Sequence, residues 1–327
     1  MRFIIYGAGG IGGVIGAELF QAGHAVALIA RGPHLAAIRK HGLVYENPHG
    51  SYTLDIPAFG HPSEVSFEEN DVVFLTMKSQ HTLGALEDLR AVADDDIPVI
   101  CCQNGVANER MALRRFKNVY AMVVYLPAHA LDPGVVQTHS AKIVGILDAG
   151  VYPRGIDPLI EKVTAALEQA NFSAKPDPNV MRWKYGKLIL NMRNALFAIR
   201  ARSDAARAIG LLAEKEAAAC YDAAGIDYTN QDELRERRGE MMARGKVKGQ
   251  DRSGGSSWQS IMKGSGDIEA DYLNGEIVLL GRLHGVPTPV NRALQRMAND
   301  LARTKGEAQS MPLAELEAQI EIEKSRF

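Results

Sequence analysis

The stretch Gly7-Ala8-Gly9-Gly10-Ile11-Gly12 decides the fold of this chain. It follows an apolar run, residues 3–6, that is typical of a buried strand, and it opens an apolar-periodic run, residues 11–22, that predicts a helix. In a G-x-G-x-x-G turn the first glycine permits tight turning, the second lets a pyrophosphate approach the backbone, and the third allows close helix packing. Residues 7–12 are therefore predicted to bind a dinucleotide at the N-terminus of the helix.

Short apolar runs and helical stretches alternate through the first half of the chain. Apolar runs without polar alternation are typical of a parallel sheet covered by helices on both faces. We therefore predict an α/β fold with a doubly wound, Rossmann-type N-terminal domain. The predicted strands are residues 3–6, 25–29, 71–77 and 97–102, the predicted helices are residues 11–22, 35–40 and 156–170, and residues 119–146 are β-rich with turns.

The stretch Lys175-Pro176-Asp177-Pro178 predicts a domain boundary, because two prolines stop a helix and favour an extended connection. The prediction is a nucleotide-binding domain of residues 1–175 and an all-helical substrate and catalytic domain of residues 176–327. Within the second domain, the polar, glycine-rich residues 245–257 are expected to form a mobile active-site loop. Helical apolar spacing covers residues 180–199, 205–224, 231–244, 267–284, 291–303 and 313–324.

The composition argues against several classes of protein. With 37 Lys and Arg against 39 Asp and Glu, the formal net charge is -2, and no basic excess indicates nucleic-acid binding. No apolar run reaches the roughly 18 residues of a membrane-spanning helix and no secretory signal precedes the first strand, so we expect a cytoplasmic protein without membrane contact. The 3 cysteines match no disulfide framework, and no His or Cys pattern predicts a metal site.

The end of the second predicted strand, Ile29-Ala30-Arg31-Gly32, indicates which dinucleotide binds. An NAD site usually has Asp or Glu here, which accepts hydrogen bonds from the ribose hydroxyls. Arg31 instead offers a planar guanidinium that is suited to a 2′-phosphate. The cofactor is therefore predicted to be NADPH/NADP, and the alternative is a solvated arginine after a strand.

The chain resembles the ketopantoate reductase (2-dehydropantoate 2-reductase) family over nearly its whole length. Besides the glycine turn, four blocks carry the resemblance, and the last is similar to the family's Ser-Ser … Glu-x-Asp-x-x-Asn-Gly pattern. The first two lie at the predicted carboxyl ends of strands, where such sheets bind ligands. The blocks are Thr76-Met77-Lys78, Gln103-Asn104-Gly105, Lys187-Leu188-Ile189-Leu190-Asn191, and Ser256-Ser257-Trp258-Gln259 with Glu269-Ala270-Asp271-Tyr272-Leu273-Asn274-Gly275.

The resemblance implies an NADPH-dependent oxidoreductase that reduces a 2-keto acid to a 2-hydroxy acid. The substrate would be ketopantoate, and the product pantoate would serve pantothenate and coenzyme A synthesis. The expected assembly is a homodimer. The implied roles are general acid for Lys187, a catalytic role beside cofactor and substrate for Glu269, cofactor binding for Lys78 and Asn104, and substrate binding for Asn104, Asn191 and Ser257.

The chemistry of the reaction supports Lys187 independently. Hydride addition to a ketone develops negative charge on the carbonyl oxygen, which a positioned ammonium both stabilises and protonates. Lys187 and Asn191 are four residues apart on a predicted helix, about 40° apart around its axis, so both can contact one ligand.

The chain departs from the family pattern in three places. The family's second asparagine is replaced by Ala195, and Asn194 is expected to substitute because it projects within about 20° of Lys187. Trp183 is four residues before Lys187 instead of two, which makes Lys184 a weaker rival for the acid role. The segment Val123 to Ala130 lacks the family's small Gly/Thr character, which leaves the identity of the substrate open.

Two other functions stay open. A related dehydrogenase with a helical second domain would act on a 3-hydroxy acid or an imine, and a turnover panel distinguishes it. A non-catalytic NADP-binding regulatory module would keep the glycine turn but has no need of the other site residues together, namely Lys187, Asn191, Ser257 and Glu269.

Overall fold

The computed structural model describes residues 1–239, 241, 243–251 and 254–326. No helix in these ranges is long and apolar enough to cross a membrane. In chain order the elements are β1 (Arg2–Tyr6), α1 (Gly10–Gln21), β2 (Ala25–Ile29), α2 (Gly32–His41), β3 (Leu43–Asn47), β4 (Gly50–Leu54), β5 (Ala58–Phe59), β6 (Asp71–Leu75), α3 (Thr82–Arg90), β7 (Val99–Cys101), α4 (Asn108–Leu113), β8 (Val119–Met122), β9 (Ala128–His129), β10 (Val135–Thr138), β11 (Ala149–Val151), α5 (Pro158–Gln169), α6 (Val180–Ile199), α7 (Asp204–Ala224), α8 (Gln231–Arg238), α9 (Ser256–Met262), α10 (Asn274–His284), α11 (Pro289–Arg303) and α12 (Leu313–Lys324).

The chain forms two compact units, Met1–Trp183 with Asp232–Arg252 and Lys184–Gln231 with Ser253–Phe327. The division therefore falls inside α6, later than the boundary predicted at residue 175, and chain from residue 232 returns to the first unit. Ion pairs explain the return of α8. Glu233 pairs with Arg182 at 2.7 Å, and Arg237 pairs with the buried Asp148 at 2.6 Å.

The first unit contains a seven-stranded sheet in the order β11-β8-β7-β6-β1-β2-β5. Neighbouring strands are parallel, except that β11 is antiparallel to β8. Both faces are buried, since Phe3 and Ile5 of β1 belong to one apolar cluster and Ile4 to another. The predicted doubly wound sheet is confirmed, and burial on both faces explains why its strands are apolar without alternation.

The first unit also contains a second sheet, in the order β4-β3-β10-β9. The sequence predicts only that residues 119–146 are β-rich and does not predict β3 or β4. The strands β3 and β4 form an antiparallel hairpin around the turn at Pro48 and His49, and β3 also pairs in parallel with β10. The buried side chain of Tyr45 fixes β3 against α1, because its hydroxyl donates a hydrogen bond to Glu18.

The second unit consists of helices, as predicted. The helix α10 packs on α7 and α11, and α12 packs on α11. The carboxylate of Glu323 is fully buried and holds α12 on α11 through Arg292 and Arg296, at 2.7 and 2.8 Å. Pairing of this kind is what a buried charge requires.

Two helix predictions are wrong in their extent. The helix predicted over residues 231–244 ends at Arg238, because Gly239 adopts a φ of 45°, which is unfavourable in a right-handed helix. Residues 240 and 242 lie outside the described ranges. The helix predicted over residues 267–284 is a 3₁₀ turn, Glu269–Tyr272, followed by α10, and the two are separated at Leu273, where φ and ψ are −111° and −86°.

Candidate functional site

The glycine turn joins β1 to α1 in the first unit, and glycine is required at its positions for different structural reasons. Gly7 has a φ of 109°, and a Cβ there would lie 2.8 Å from the backbone nitrogen of Met77. A Cβ on Gly12 would lie 2.5 Å from the carbonyl oxygen of Gly7. The first and third glycines are thus required by the turn and by packing.

The second glycine, Gly9, is different, because a Cβ there would meet nothing within 4 Å and its φ of −74° suits any residue. Gly9 is also the N-cap of α1, which has no side-chain cap. The free N–H groups of an uncapped first turn carry partial positive charge. Open space in front of such a turn fits a dinucleotide pyrophosphate.

Arg31 follows β2 and is the N-cap of α2. Its side chain is exposed and forms no ion pair with any residue in the described ranges. The neighbouring strand end therefore presents a guanidinium that is available to a phosphate, which fits NADP better than NAD.

His34 is a residue that the sequence prediction missed. Its Nδ1 accepts a hydrogen bond from the backbone N–H of Gly134 at 2.9 Å, so its Nε2 carries the proton and donates to the carbonyl oxygen of Ala8 at 2.7 Å. The imidazole thereby ties the glycine turn to the turn before β10. No local signal reveals this role, because Gly134 lies 100 positions away in sequence.

Lys78 and Asn104 follow β6 and β7, so they lie at the same edge of the sheet as the glycine turn after β1 and Arg31 after β2. Hydrogen bonds from side chains to backbone carbonyls fix their two loops. Gln103 donates to the carbonyl of Met77 at 2.8 Å, and Asn108 donates to the carbonyl of Asn104 at 3.1 Å. Thr82 joins the two amides, because it accepts from Gln103 and donates to Asn108.

In the second unit, Lys187, Asn191 and Asn194 all lie on α6 and are all partly buried. Gly186 precedes the lysine, and a Cβ on it would lie 2.5 Å from the carbonyl oxygen of Thr229. Glycine inside a helix costs about 1 kcal/mol relative to alanine. Here it allows the chain at Thr229 to pack directly on α6 beside Lys187.

The side-chain oxygen of Asn191 is buried and accepts no hydrogen bond from any residue in the described ranges. An unpaired buried carbonyl oxygen costs roughly 1–3 kcal/mol. A ligand hydroxyl would supply the missing donor, so Asn191 fits a substrate-binding residue on the same helix as Lys187.

Two other residues of α6, Lys184 and Ala195, are buried, which the sequence alone does not predict. Lys184, the weaker rival for the acid role, is only 4 % exposed. Ala195, where the family has its second asparagine, is 2 % exposed and faces the core, whereas Asn194 is half-buried.

Ser257 and Glu269 are both buried, and neither belongs to α6. Ser257 lies in the first turn of α9, which packs against α11. Glu269 begins the 3₁₀ turn that packs against α10 and α11. The second unit thus holds the proposed acid and three of the predicted substrate ligands, namely Asn191, Asn194 and Ser257.

Half of the loop predicted at residues 245–257 is anchored. Gly245 donates a backbone hydrogen bond to the carbonyl of His139 at 2.8 Å, and Lys248 pairs with the buried Glu46 at 2.5 Å. Burial raises the pKa of Glu46, but the hydrogen bonds from Lys248 and Gln137 and the charge of Lys248 outweigh it, so the net shift is downward. Residues 252 and 253 of the predicted loop lie outside the described ranges.

Comparison with known families assigns both halves of the chain. Residues 3–148 match the family model "Ketopantoate reductase PanE/ApbA", and residues 179–302 match the model of its C-terminal domain. A 2-dehydropantoate 2-reductase of Pyrococcus horikoshii is 32% identical over 191 residues, 58% of this chain and 61% of that protein. One of Pyrococcus abyssi is 26% identical over 311 residues, 90% of this chain and 95% of that protein.

Solved structures show the same fold. A PanE/ApbA family ketopantoate reductase from Ralstonia eutropha JMP134 is 29% identical, with a TM-score of 0.78 over 93% of this chain and 99% of that one. A D-mandelate dehydrogenase solved with NADH and anilino(oxo)acetate is 22% identical, with a TM-score of 0.79 over 93% of this chain and 99% of that one. At this identity the second likeness shows the fold alone.

Proposed function

Because the chain belongs to the ketopantoate reductase family, we propose that it reduces ketopantoate to pantoate with NADPH, using Lys187 as the proton donor. Both halves of the family pattern are present, and the enzyme is an oxidoreductase that uses a nicotinamide dinucleotide. The observation that carries the proposed residue roles is the buried oxygen of Asn191, which accepts no hydrogen bond within the described part of the chain and lies one helical turn from Lys187 on α6.

We assign the cofactor to the first unit. The backbone N–H groups of residues 10–12 would hold the pyrophosphate, and Arg31 would hold the 2′-phosphate at the end of β2. Lys78 and Asn104 would bind the other half of the dinucleotide, at the ends of β6 and β7. When bound, NADPH supplies the hydride for the keto carbon. The open space at Gly9 and the exposed guanidinium of Arg31 support this assignment.

We assign the keto acid to the second unit. The ammonium of Lys187 donates a proton to the carbonyl oxygen as negative charge develops there, and Asn191 Oδ1 accepts a hydrogen bond from a substrate hydroxyl. Asn194 and Ser257 are further donors for the substrate. The buried carboxylate of Glu269 would hold the substrate. Substrate binding by Asn104 stays a prediction. A homodimer and a cytoplasmic location stay predictions.

An NADPH oxidation assay with a panel of 2-keto acids tests the proposed function. Ketopantoate should give a higher kcat/KM than 2-ketoisovalerate, which lacks the hydroxymethyl group, and than phenylglyoxylate, which is aromatic. A preference for phenylglyoxylate would instead make the enzyme an aryl 2-hydroxy acid dehydrogenase. NADPH oxidation with imines alone, NADP⁺ reduction with 3-hydroxy acids alone, or no turnover of any compound would contradict the proposal.

A further inference from the structure

Asn274 begins α10 and is fully buried, although its side chain is polar. Its amide nitrogen donates to the carbonyl oxygen of Met192 in α6 at 3.1 Å and to Oδ1 of Asn291 in α11 at 2.9 Å. One buried amide thus joins α10 to two other helices of the second unit.

The hydrogen-bond chain continues through Asn291 into α7. The amide nitrogen of Asn291 donates to the carboxylate of Glu216 at 2.8 Å and to the carbonyl of Ala213 at 2.9 Å. The same carboxylate accepts the backbone N–H groups of Val290 and Asn291, both at 2.9 Å. Because the carbonyl oxygens of Met192 and Ala213 can only accept, the amide nitrogens of Asn274 and Asn291 are the donors, and the direction of the bond between the two side chains is fixed.

This series of hydrogen bonds ends next to the residues that the proposed mechanism uses. Met192 directly follows Asn191 on α6, and Asn274 follows the turn that begins at Glu269. The turn has a second attachment, because Asp271 accepts hydrogen bonds from Gln295 at 2.8 Å and Asn299 at 2.6 Å, both on α11. Asp271 therefore fixes the turn to α11, and Asn274 fixes it to α6.

We infer that Asn274 is a positioning residue, which sets the place of the Glu269 turn relative to the Asn191 end of α6. The inference rests on the proposed roles of Asn191 and Glu269. It also gives a physical reason for the Glu-x-Asp-x-x-Asn-Gly pattern. Glu269 is the functional residue, whereas Asp271 and Asn274 are the attachments that hold its turn in place.

Other side chains cannot replace Asn274. An aspartate would place an acceptor against the Met192 carbonyl and against Asn291 Oδ1, and leucine would leave both of these buried oxygens without the donor. The next residue, Gly275, packs on the second attachment of the turn, because a Cβ there would lie 2.7 Å from Gln295 Nε2, the donor to Asp271.

The test compares Asn274→Ser with Ile277→Val in the full chain. Serine cannot reach the Met192 carbonyl, and Ile277 is a fully buried residue of α10 outside the polar chain, whose truncation is a control for lost stability. We expect Asn274→Ser to raise the KM for the 2-keto acid about tenfold, the loss of about one buried hydrogen bond, while the KM for NADPH changes less than about twofold. Ile277→Val should change neither.

A double variant distinguishes positioning from a general loss of structure. If Asn274 acts through Asn191, then Asn274→Ser combined with Asn191→Ala should be no worse than Asn191→Ala alone. Additive losses, equal KM values in Asn274→Ser and Ile277→Val, or a parallel rise in the KM for NADPH would overturn the inference. The 2-keto acid is whichever one the unmodified enzyme turns over best, so a failure with ketopantoate tells against the proposed function alone.

Discussion

Gly9 and Gly12 belong to the same turn, yet their substitutions should have opposite consequences. Gly9→Ala adds a methyl group in open space, so the free energy of unfolding should stay within about 0.5 kcal/mol while NADPH binding weakens. Gly12→Ala places its Cβ against the Gly7 carbonyl, so it should destabilise the fold by about 1–3 kcal/mol. Denaturant titration and nucleotide titration of both variants check this. Equal loss of stability in both would disprove the assignment of Gly9.

Replacing Arg31 with Glu reverses the charge at the end of β2. A charge-assisted hydrogen bond contributes roughly 1.5–3 kcal/mol, so the KM for NADPH should rise about 10- to 100-fold, with little change for NADH. Lys40→Glu makes the same charge change at an exposed site of α2 and is the control. If the unmodified enzyme uses NADPH and NADH equally well, the cofactor assignment is wrong.

Lys187→Ala should lower kcat by about 10² to 10⁴, the usual contribution of a positioned acid, without weakening NADPH binding. The rival Lys184 needs a different control from alanine, because it is buried and truncation would leave a cavity. Lys184→Met keeps the aliphatic volume and removes only the ammonium. Its kcat should stay close to that of the unmodified enzyme. A severe loss there with a mild loss in Lys187→Ala would transfer the acid role to Lys184.

At the scale of elements, α1 meets β3 through the buried carboxyl of Glu18. Burial raises the pKa of this group above its ordinary value, although hydrogen bonding from Tyr45 and the charge of His49 act in the opposite direction. The fold therefore binds the proton more tightly than the unfolded chain does. Ionisation of Glu18 destabilises the fold as pH rises from the ordinary glutamate pKa through the raised one.

Glu18→Gln removes this titration, and its side-chain oxygen can still accept from Tyr45. The stability of the variant relative to the unmodified protein should increase with pH across that window and stay constant above it. Urea denaturation between pH 4 and pH 8 measures the difference, with exposed Glu168→Gln as control. Parallel curves for Glu18→Gln and the unmodified protein would show that Glu18 does not titrate in this range.

Elements were predictable where one local signal determines them. The sequence predicts β2 and α6 with their observed bounds, because β2 is a short apolar run after Gly23 and α6 has helical apolar spacing after Pro178. It misses the β3–β4 hairpin, because β4 is largely exposed and Tyr45 and Glu46 of β3 become buried only through Glu18 and Lys248, which lie elsewhere in the chain.

At the scale of the whole molecule, the two units should respond differently to the cofactor. NADP⁺ at about 100 times its Kd should add about 2.7 kcal/mol to the stability of the unit that binds it. Hydrogen exchange should slow in β1, in α1 and at the carboxyl end of β2. It should slow less in α7 and α12. NAD⁺ at the same concentration should protect less. Protection confined to α7 and α12 would contradict the assignment of the nucleotide to the first unit.

The sequence by itself determined the dinucleotide fold and the helical second unit, because a glycine turn and an apolar period are local along the chain. The residues of the candidate site stay a prediction from a local motif. Only the tertiary structure decided that Lys184 is buried, that His34 ties Ala8 to Gly134, and that Asn274 joins α6 to α11. The last two depend on hydrogen bonds between residues 17 to 100 positions apart, and the burial of Lys184 depends on how the helices pack. Local periodicity carries no information about such partners, because it specifies which face of an element is apolar and not what packs against it.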